Sequence, residues 1–196
     1  MGKAAATRLD ILQKAFELIY ANGYQATSVD DILATTKVTK GAFYYHFKNK
    51  DEMGLAVIHE VMFPAMGEAF TQLSNSKDPL KDIYSLMKHL LLATPALQVQ
   101  DGWPAGNLAH ELPHISDAFN TAMAELVNHW REGLQACISN GKTAGLLRSN
   151  VNPQQVAYFI MEGYWGIRNY AKLYNTADSY VIYLKELKQY LNGLKK

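Results

Sequence analysis

A chain of 196 residues, 48% hydrophobic and 19% charged with a formal net charge of +1, can bury a core in one domain or in a small and a larger one, and its balance argues against wholesale disorder. Its single cysteine, Cys137, excludes an internal disulfide and a cysteine-built metal site and fits a reducing compartment. No apolar run approaches the roughly 18 residues of a membrane span, and the opening MGKAAATRLD lacks both the apolar stretch of a secretion signal and the Ser/Thr of a myristoylation signal, so a cytoplasmic chain with no membrane partner is expected.

The even total hides an asymmetry. Residues 1–50 hold seven Lys/Arg against four Asp/Glu, net +3, whereas residues 51–196 hold twelve against fourteen, net −2. A basic N-terminal quarter fits an anionic partner at that end. The apolar pattern is helical nearly throughout. Leu9, Leu12, Phe16 and Ile19, with Ala15 between, predict a first helix that stops at Asn22-Gly23. Thr27 or Ser28 would cap a short second helix over 28–34, with Asp30 and Asp31 in its first turn and Val29, Ile32 and Leu33 as its contacts. Thr39 would cap a third helix through Phe47, and a fourth over about 50–73 carries Pro64, which predicts a kink. A fifth is expected over 79–93 and a short one over 105–111. A long helix over 116–140 has Asn140-Gly141 as its stop, and two more follow over 154–174 and 177–191. That makes about nine helices, with no repeats and no convincing strands: an all-α chain.

The densest chemistry lies in VTKGAFYYHFKNKDEM, residues 38–53. Two short helices joined by about four residues have the dimensions of a helix-turn-helix, whose second helix enters the major groove by its N-terminal residues. On that reading Gly41 and Ala42 are small so that the backbone can approach DNA, and Thr39 and Lys40 supply polar reach. Phe43 and Phe47, four apart, would pack inward. Tyr44, Tyr45 and His46 cannot share that face, because consecutive residues step about 100° around a helix. Lys48 and Lys50 would neutralise flanking phosphates. The plainer alternative is a small helical bundle whose rings are all core.

These residues, with TRLDILQKAFELIYANGYQATSVDDIL before them, resemble the tetracycline-repressor (TetR) family of bacterial regulators over residues 7–53. The family pattern of small residues after the cap, then an apolar ring, Tyr, any residue, His, Phe, and later Lys and an acid, is met by Gly41-Ala42, Phe43, Tyr44, Tyr45, His46, Phe47, Lys50 and Asp51. Lys37 stands where the family's turn usually has Gly. The resemblance implies a three-helix DNA-binding domain at 5–65, with the helix-turn-helix at about 28–47. A larger helical ligand-binding and dimerisation domain would follow at 66–196. It implies phosphate contacts from Thr27, Tyr44, His46 and Lys50, and base-facing positions for Lys40, Gly41, Ala42 and Tyr45, with Thr39 capping the helix that carries them. The partners it implies are a double-stranded operator, a small-molecule effector and a second copy of the chain.

The second half is less diagnostic. GWPAGNLAHEL, residues 102–112, resembles one branch of the family in which a Cys stands at the place of Trp103. Polar or aromatic groups on apolar helical faces make the candidate effector pocket: Met62, Phe63, Tyr84, Met87, Trp103, Asn107, His110, Tyr158, Met161, Glu162 and Trp165. Each of them taken alone is better explained by ordinary core or interface packing. His110 and His114 beside Glu111 suggest satisfied or surface histidines before a metal site. Glu162 is open between a buried acid facing a cationic ligand and an exposed one. Cys137 shares an apolar stripe with Val127, Trp130, Leu134 and Ile138 and is expected to be an inert buried thiol. The many rings of 154–174 and 177–191, with Gly163 and Gly166 allowing close approach, suggest a homodimer interface. Neither a glycine-rich phosphate loop nor Cys/His ligand spacing is present, so no catalytic residue, cofactor or metal is expected. The competing classes are an enzyme, a helical protein-interaction module without DNA binding, and an activator of the same fold.

Overall fold

The computed structural model describes residues 2–74, 76–94 and 98–196, the side chains of 68–72 and 74 apart. Among them lie ten α-helices: α1 (Lys3–Asn22), α2 (Val29–Thr35), α3 (Lys40–His46), α4 (Lys50–Val57), α5 (Phe63–Ser74), α6 (Pro79–Leu92), α7 (Pro104–Glu111), α8 (Asp117–Thr143), α9 (Pro153–Tyr174) and α10 (Asp178–Gly193). One turn of π-helix, Ile58–Met62, joins α4 to α5, so the expected fourth helix is a single interrupted rod and the nine expected helices are accounted for. The chain divides into two compact units. One runs to Ala65 and takes in Asn107–Leu126; the other comprises Met66–Gly106 and Val127–Lys196. The segment Asn107–Leu126 thus belongs with the N-terminal stretch and not with its neighbours along the chain.

In the first unit α1 is packed by α2, α3, α4 and the π turn. A helix covered on several sides needs a wide apolar stripe, and Ile11, Leu12, Ala15, Ile19 and Tyr20 supply it. This turns the buried face away from the expected Leu9 and Phe16, which are only half-buried. Ser28, not Thr27, caps α2: its Oγ accepts from the Asp31 N–H while the Asp31 carboxylate accepts from the Ser28 N–H, a closed capping box. Thr39 caps α3 through the Ala42 N–H. The only non-glycine residue with positive φ among the described residues is Asn175, so Lys37 occupies its turn without left-handed strain.

Pro64 acts one turn upstream of itself. Its ring crowds the carbonyl four residues back, that of Glu60. The chain answers by widening: the Phe63 N–H reaches the Ile58 carbonyl, five residues back. In the second unit α8 does not stop at Asn140-Gly141 as expected but continues to Thr143. The reason is packing. A Cβ on Gly141 would stand 2.7 Å from Pro79 Cγ, so this glycine permits a close approach inside a helix rather than ending one. The turn comes at Gly145, with φ +74°. Likewise, the space above Gly163 is filled by the chain's own Tyr183, whose hydroxyl donates to the Ile160 carbonyl. No described helix is long and apolar enough to cross a membrane.

Candidate nucleic-acid interface

The helix pair α2–α3 is held from beneath. Phe43 and Phe47 are fully buried, their ring centroids 5.5 Å apart. Arg8 of α1 fastens the end of α3. Its guanidinium lies 4.3 Å from the Phe47 ring centre, Nη1 donates to the His46 carbonyl at 2.9 Å, and Nη2 and Nε donate to the two carboxylate oxygens of Glu60 at 2.6 and 3.1 Å. The last two bonds form the parallel fork in which arginine holds a carboxylate best. They hold the Glu60 carboxyl below its ordinary range. Arg8 lies within the stretch that resembles the family, but nothing in the sequence marks this role for it.

The other side of α3 is open. Tyr45 is 78% exposed and Tyr44 49% exposed. A Cβ on Gly41 would meet nothing within 4 Å, so the protomer itself does not require a glycine there. Ala42 and His46 are half-buried. Lys40 is exposed and its Nζ lies 3.1 Å from Asp30 Oδ1 of α2, a hydrogen bond that raises the lysine's pKa. Thus Lys40, Gly41, Tyr44 and Tyr45 lie together at the exposed N-terminal part and outer face of α3.

Two residues of the expected phosphate set face inward. Thr27 is buried and its hydroxyl donates to the Gly23 carbonyl at 2.8 Å. Lys50 is half-buried; its ammonium donates to the Tyr24 carbonyl at 2.6 Å and lies 4.3 Å from the Tyr24 ring centre, and burial lowers its pKa. The Tyr24 hydroxyl in turn donates to Asp51 at 2.5 Å. Burial and that bond together push the phenol well above its ordinary range. Glu111 closes the same turn, accepting from the Gln25 N–H at 3.0 Å and filling the space above Gly23. So Thr27 and Lys50 lock the α1–α2 turn, a task their positions in sequence do not disclose.

A model of bacterial regulatory proteins of the tetR family matches residues 11–57, and one of the tetracycline-repressor-like C-terminal domain matches residues 79–186. The chain belongs to the TetR family. It is therefore a DNA-binding transcriptional regulator and not an enzyme. TetR-family relatives include the HTH-type transcriptional repressor DhaR of Mycobacterium sp. (strain GP1), 27% identical over 81% of this chain and 79% of that protein. An HTH-type transcriptional regulator from the lacX 3′ region of Lactococcus lactis subsp. lactis is 30% identical over 74% of each. A TetR transcriptional regulator from Chloroflexus aurantiacus J-10-FL superposes with a TM-score of 0.87 at 24% identity, covering 100% of this chain and 98% of that one, a likeness of fold.

The expected effector set of this TetR-family chain is divided between the two units. Met62, Phe63, Asn107 and His110 fall in the first unit, the remainder in the second. Met62, Met87, Trp103 and Met161 are buried, and Phe63, Tyr84, Asn107 and Trp165 are half-buried. His110, Tyr158 and Glu162 are exposed in the protomer, so of the two readings of Glu162 the structure has the exposed acid. What the second unit does assemble is a ring cluster. Trp103 lies 4.9 Å from Trp130 and 5.1 Å from Trp165, with Tyr164 edge-on to both Trp103 and Trp130. Gly106 leaves room for the Trp165 indole, whose Nε1 would stand 2.7 Å from a Cβ there. Trp130 and Tyr164 were not among the expected residues, because a ring on a helical stripe looks like any other core residue. Nor was Arg168, which is fully buried, donates to the carbonyls of Gln98 and Gly102 and lies 5.6 Å from the Tyr180 ring centre. No group of three His, Cys, Asp or Glu able to hold a metal occurs among the described residues.

Proposed function

We propose that this regulator is a ligand-responsive repressor that binds a palindromic operator as a homodimer. The observation that carries the DNA reading is the one-sided anchoring of α3: Phe43 and Phe47 buried beneath, Tyr45 exposed above, and open space at Gly41. A helix serving only a core would not leave a tyrosine at 78% exposure beside a glycine that the fold does not need. Lys40, Gly41, Ala42 and Tyr45 then face bases, and Tyr44 and His46 reach phosphates, with Thr39 fixing the helix start. Thr27 and Lys50 serve the same surface by holding the turn beneath it.

Repression is supported by the DhaR relative, a transcriptional repressor by name. Dimerisation is supported by the exposed apolar side chains of α9 and α10, among them Phe159, Leu173, Tyr174, Val181 and Ile182. The effector would bind the second unit, near Met87, Trp103, Met161 and Trp165, and favour a dimer that no longer fits the operator. The protein would work in the cytoplasm. Selection of bound duplexes from a random pool tests the whole reading. A palindrome with half-sites about one helical turn apart or slightly more is expected, released when an effector is added. Recovery of no duplex at low salt, with the chain folded, would overturn it.

A further inference from the structure

Two acids stand side by side at the start of α2, and they do different work. Asp31 closes the capping box with Ser28. It thereby satisfies the helix N-terminus and sets a negative charge against the dipole. Asp30 is not needed for that. Its carboxylate instead lies 3.1 Å from the ammonium of Lys40, the first residue of α3. Both side chains remain largely in solvent, 61% for Lys40 and 73% for Asp30. So exposed a pair is screened and holds the fold together little. Tyr44 follows Lys40 by four residues in α3, so the pair lies on the face of that helix that carries the exposed tyrosine.

That face meets a polyanion, where a carboxylate is repelled by phosphate. In the major groove only two kinds of group can compensate it: the N4 amino group of cytosine and the N6 amino group of adenine. The lysine beside it is the complementary reader, donating to O6 and N7 of guanine. We propose that Asp30 and Lys40 act as one specificity-determining couple that reads a G·C pair in each half-site, Lys40 on the guanine edge and Asp30 on the cytosine amino group. This rests on the reading of α3 as the base-reading helix. Asp30 also keeps Lys40 off the neighbouring phosphates. The carboxylate therefore lowers binding to all DNA while raising the contrast between sequences.

Three proteins test this: the full chain, Asp30→Asn and Asp30→Ala, each checked for an unchanged melting temperature. Each is put through selection from a random duplex pool and a salt titration on the selected duplex and on an unrelated one. The full chain should prefer G·C over A·T at one position of each half-site by about tenfold. Asp30→Ala should reduce that preference to within about twofold while binding the unrelated duplex more tightly. Its log K against log salt slope should steepen by about one as the released Lys40 takes up a phosphate. Asp30→Asn should shift the preferred pair toward A·T, since an amide matches the adenine edge. A merely structural Asp30 would weaken binding to every sequence alike and leave preference and slope unmoved, and that result overturns the couple. Selective binding by the full chain that is identical in both variants also overturns it while leaving the base-reading helix intact. Absence of any selectivity in the full chain removes the couple and the base-reading helix together.

Discussion

Glycine 41 and glycine 54 show how one residue type carries opposite information. A Cβ on Gly54 would meet the Tyr24 ring at 2.7 Å and Phe119 at 3.0 Å, so the fold requires that glycine. A Cβ on Gly41 would meet nothing, so the requirement lies outside the chain. Gly41→Ala should therefore leave thermal stability unchanged or raise it, by up to about 1 kcal/mol, since alanine is the better helix residue. It should weaken duplex binding about tenfold or more, which is about 1.4 kcal/mol. Gly54→Ala should lower stability instead. Loss of stability in Gly41→Ala with unchanged DNA affinity would refute the assignment. At the same scale Cys137 is fully buried, and burial pushes its thiol up to about 12. The folded value lies above the unfolded one, so no penalty exists below about pH 8.5. Stability is lost as the pH rises above that point, where only the unfolded thiol ionises. Alkylation of the native protein at neutral pH should be negligible and become rapid on unfolding. The apolar stripe around Cys137 made this legible from sequence. The inward roles of Thr27 and Lys50 were not legible, because a hydroxyl and an ammonium look alike whether they meet a phosphate or a main-chain carbonyl.

Whole elements were easier to read than their joints. Caps and apolar spacing placed α2, α3, α6, α7, α9 and α10 within a residue or two of where they lie, and Ser28, Thr39, Asp78 and Asn152 cap the starts of α2, α3, α6 and α9 through their side chains. The long helix α8 ran past its apparent stop because Gly141 answers to Pro79, a neighbour 62 positions away in the chain that spacing along one helix cannot reveal. Gly141→Ala should force Pro79 aside and cost about 1–3 kcal/mol in urea unfolding; an unchanged midpoint would mean the contact relaxes freely. The attachment of α3 is another long-range matter. Arg8 joins α1, the α3 carboxyl end and Glu60 of the π turn, so the widened turn before Pro64 presents an acid to the arginine that steadies the recognition helix. The Glu60 carboxyl is held below its ordinary range by that arginine, so the tether is intact above the usual glutamate pKa and is lost as pH falls through the lower folded value. Glu60→Gln imitates the acid form. At neutral pH it should speed amide hydrogen exchange across residues 43–47 severalfold and weaken binding to all duplexes alike. Unchanged exchange there would show that Phe43 and Phe47 suffice to hold the helix.

For the molecule as a whole, the distribution of charge and of exposed apolar surface argues for two copies acting together. The net charge of +1 conceals a +3 excess in residues 1–50, which contain α1 to α3, so one protomer brings only modest attraction to DNA. Two linked copies double the phosphate contacts and convert the second half-site into an intramolecular partner, worth a further factor of about a hundred or more in affinity. The surplus of rings in α9 and α10 suggests an interface, as proposed, but spacing in sequence does not divide those rings from the core. Tyr164 and Tyr180 are core, and Gly163 serves Tyr183, while Phe159, Tyr170, Leu173, Tyr174, Val181 and Ile182 remain outside. That division is a tertiary fact, since helical spacing shows which residues share a face and not which face is covered. Introducing one charge on each helix, Leu173→Glu with Ile182→Glu, should leave the protomer folded, because both side chains are more than half exposed. It should yield a monomer in sedimentation at micromolar concentration. On a two-half-site duplex its affinity should fall by about a hundredfold or more, and its salt slope should drop to about half that of the parent. On a single half-site the two proteins should bind nearly alike. A double variant that remains dimeric would place the interface elsewhere. A monomer that kept full affinity for the two-half-site duplex would show that the two recognition helices are not coupled through this face.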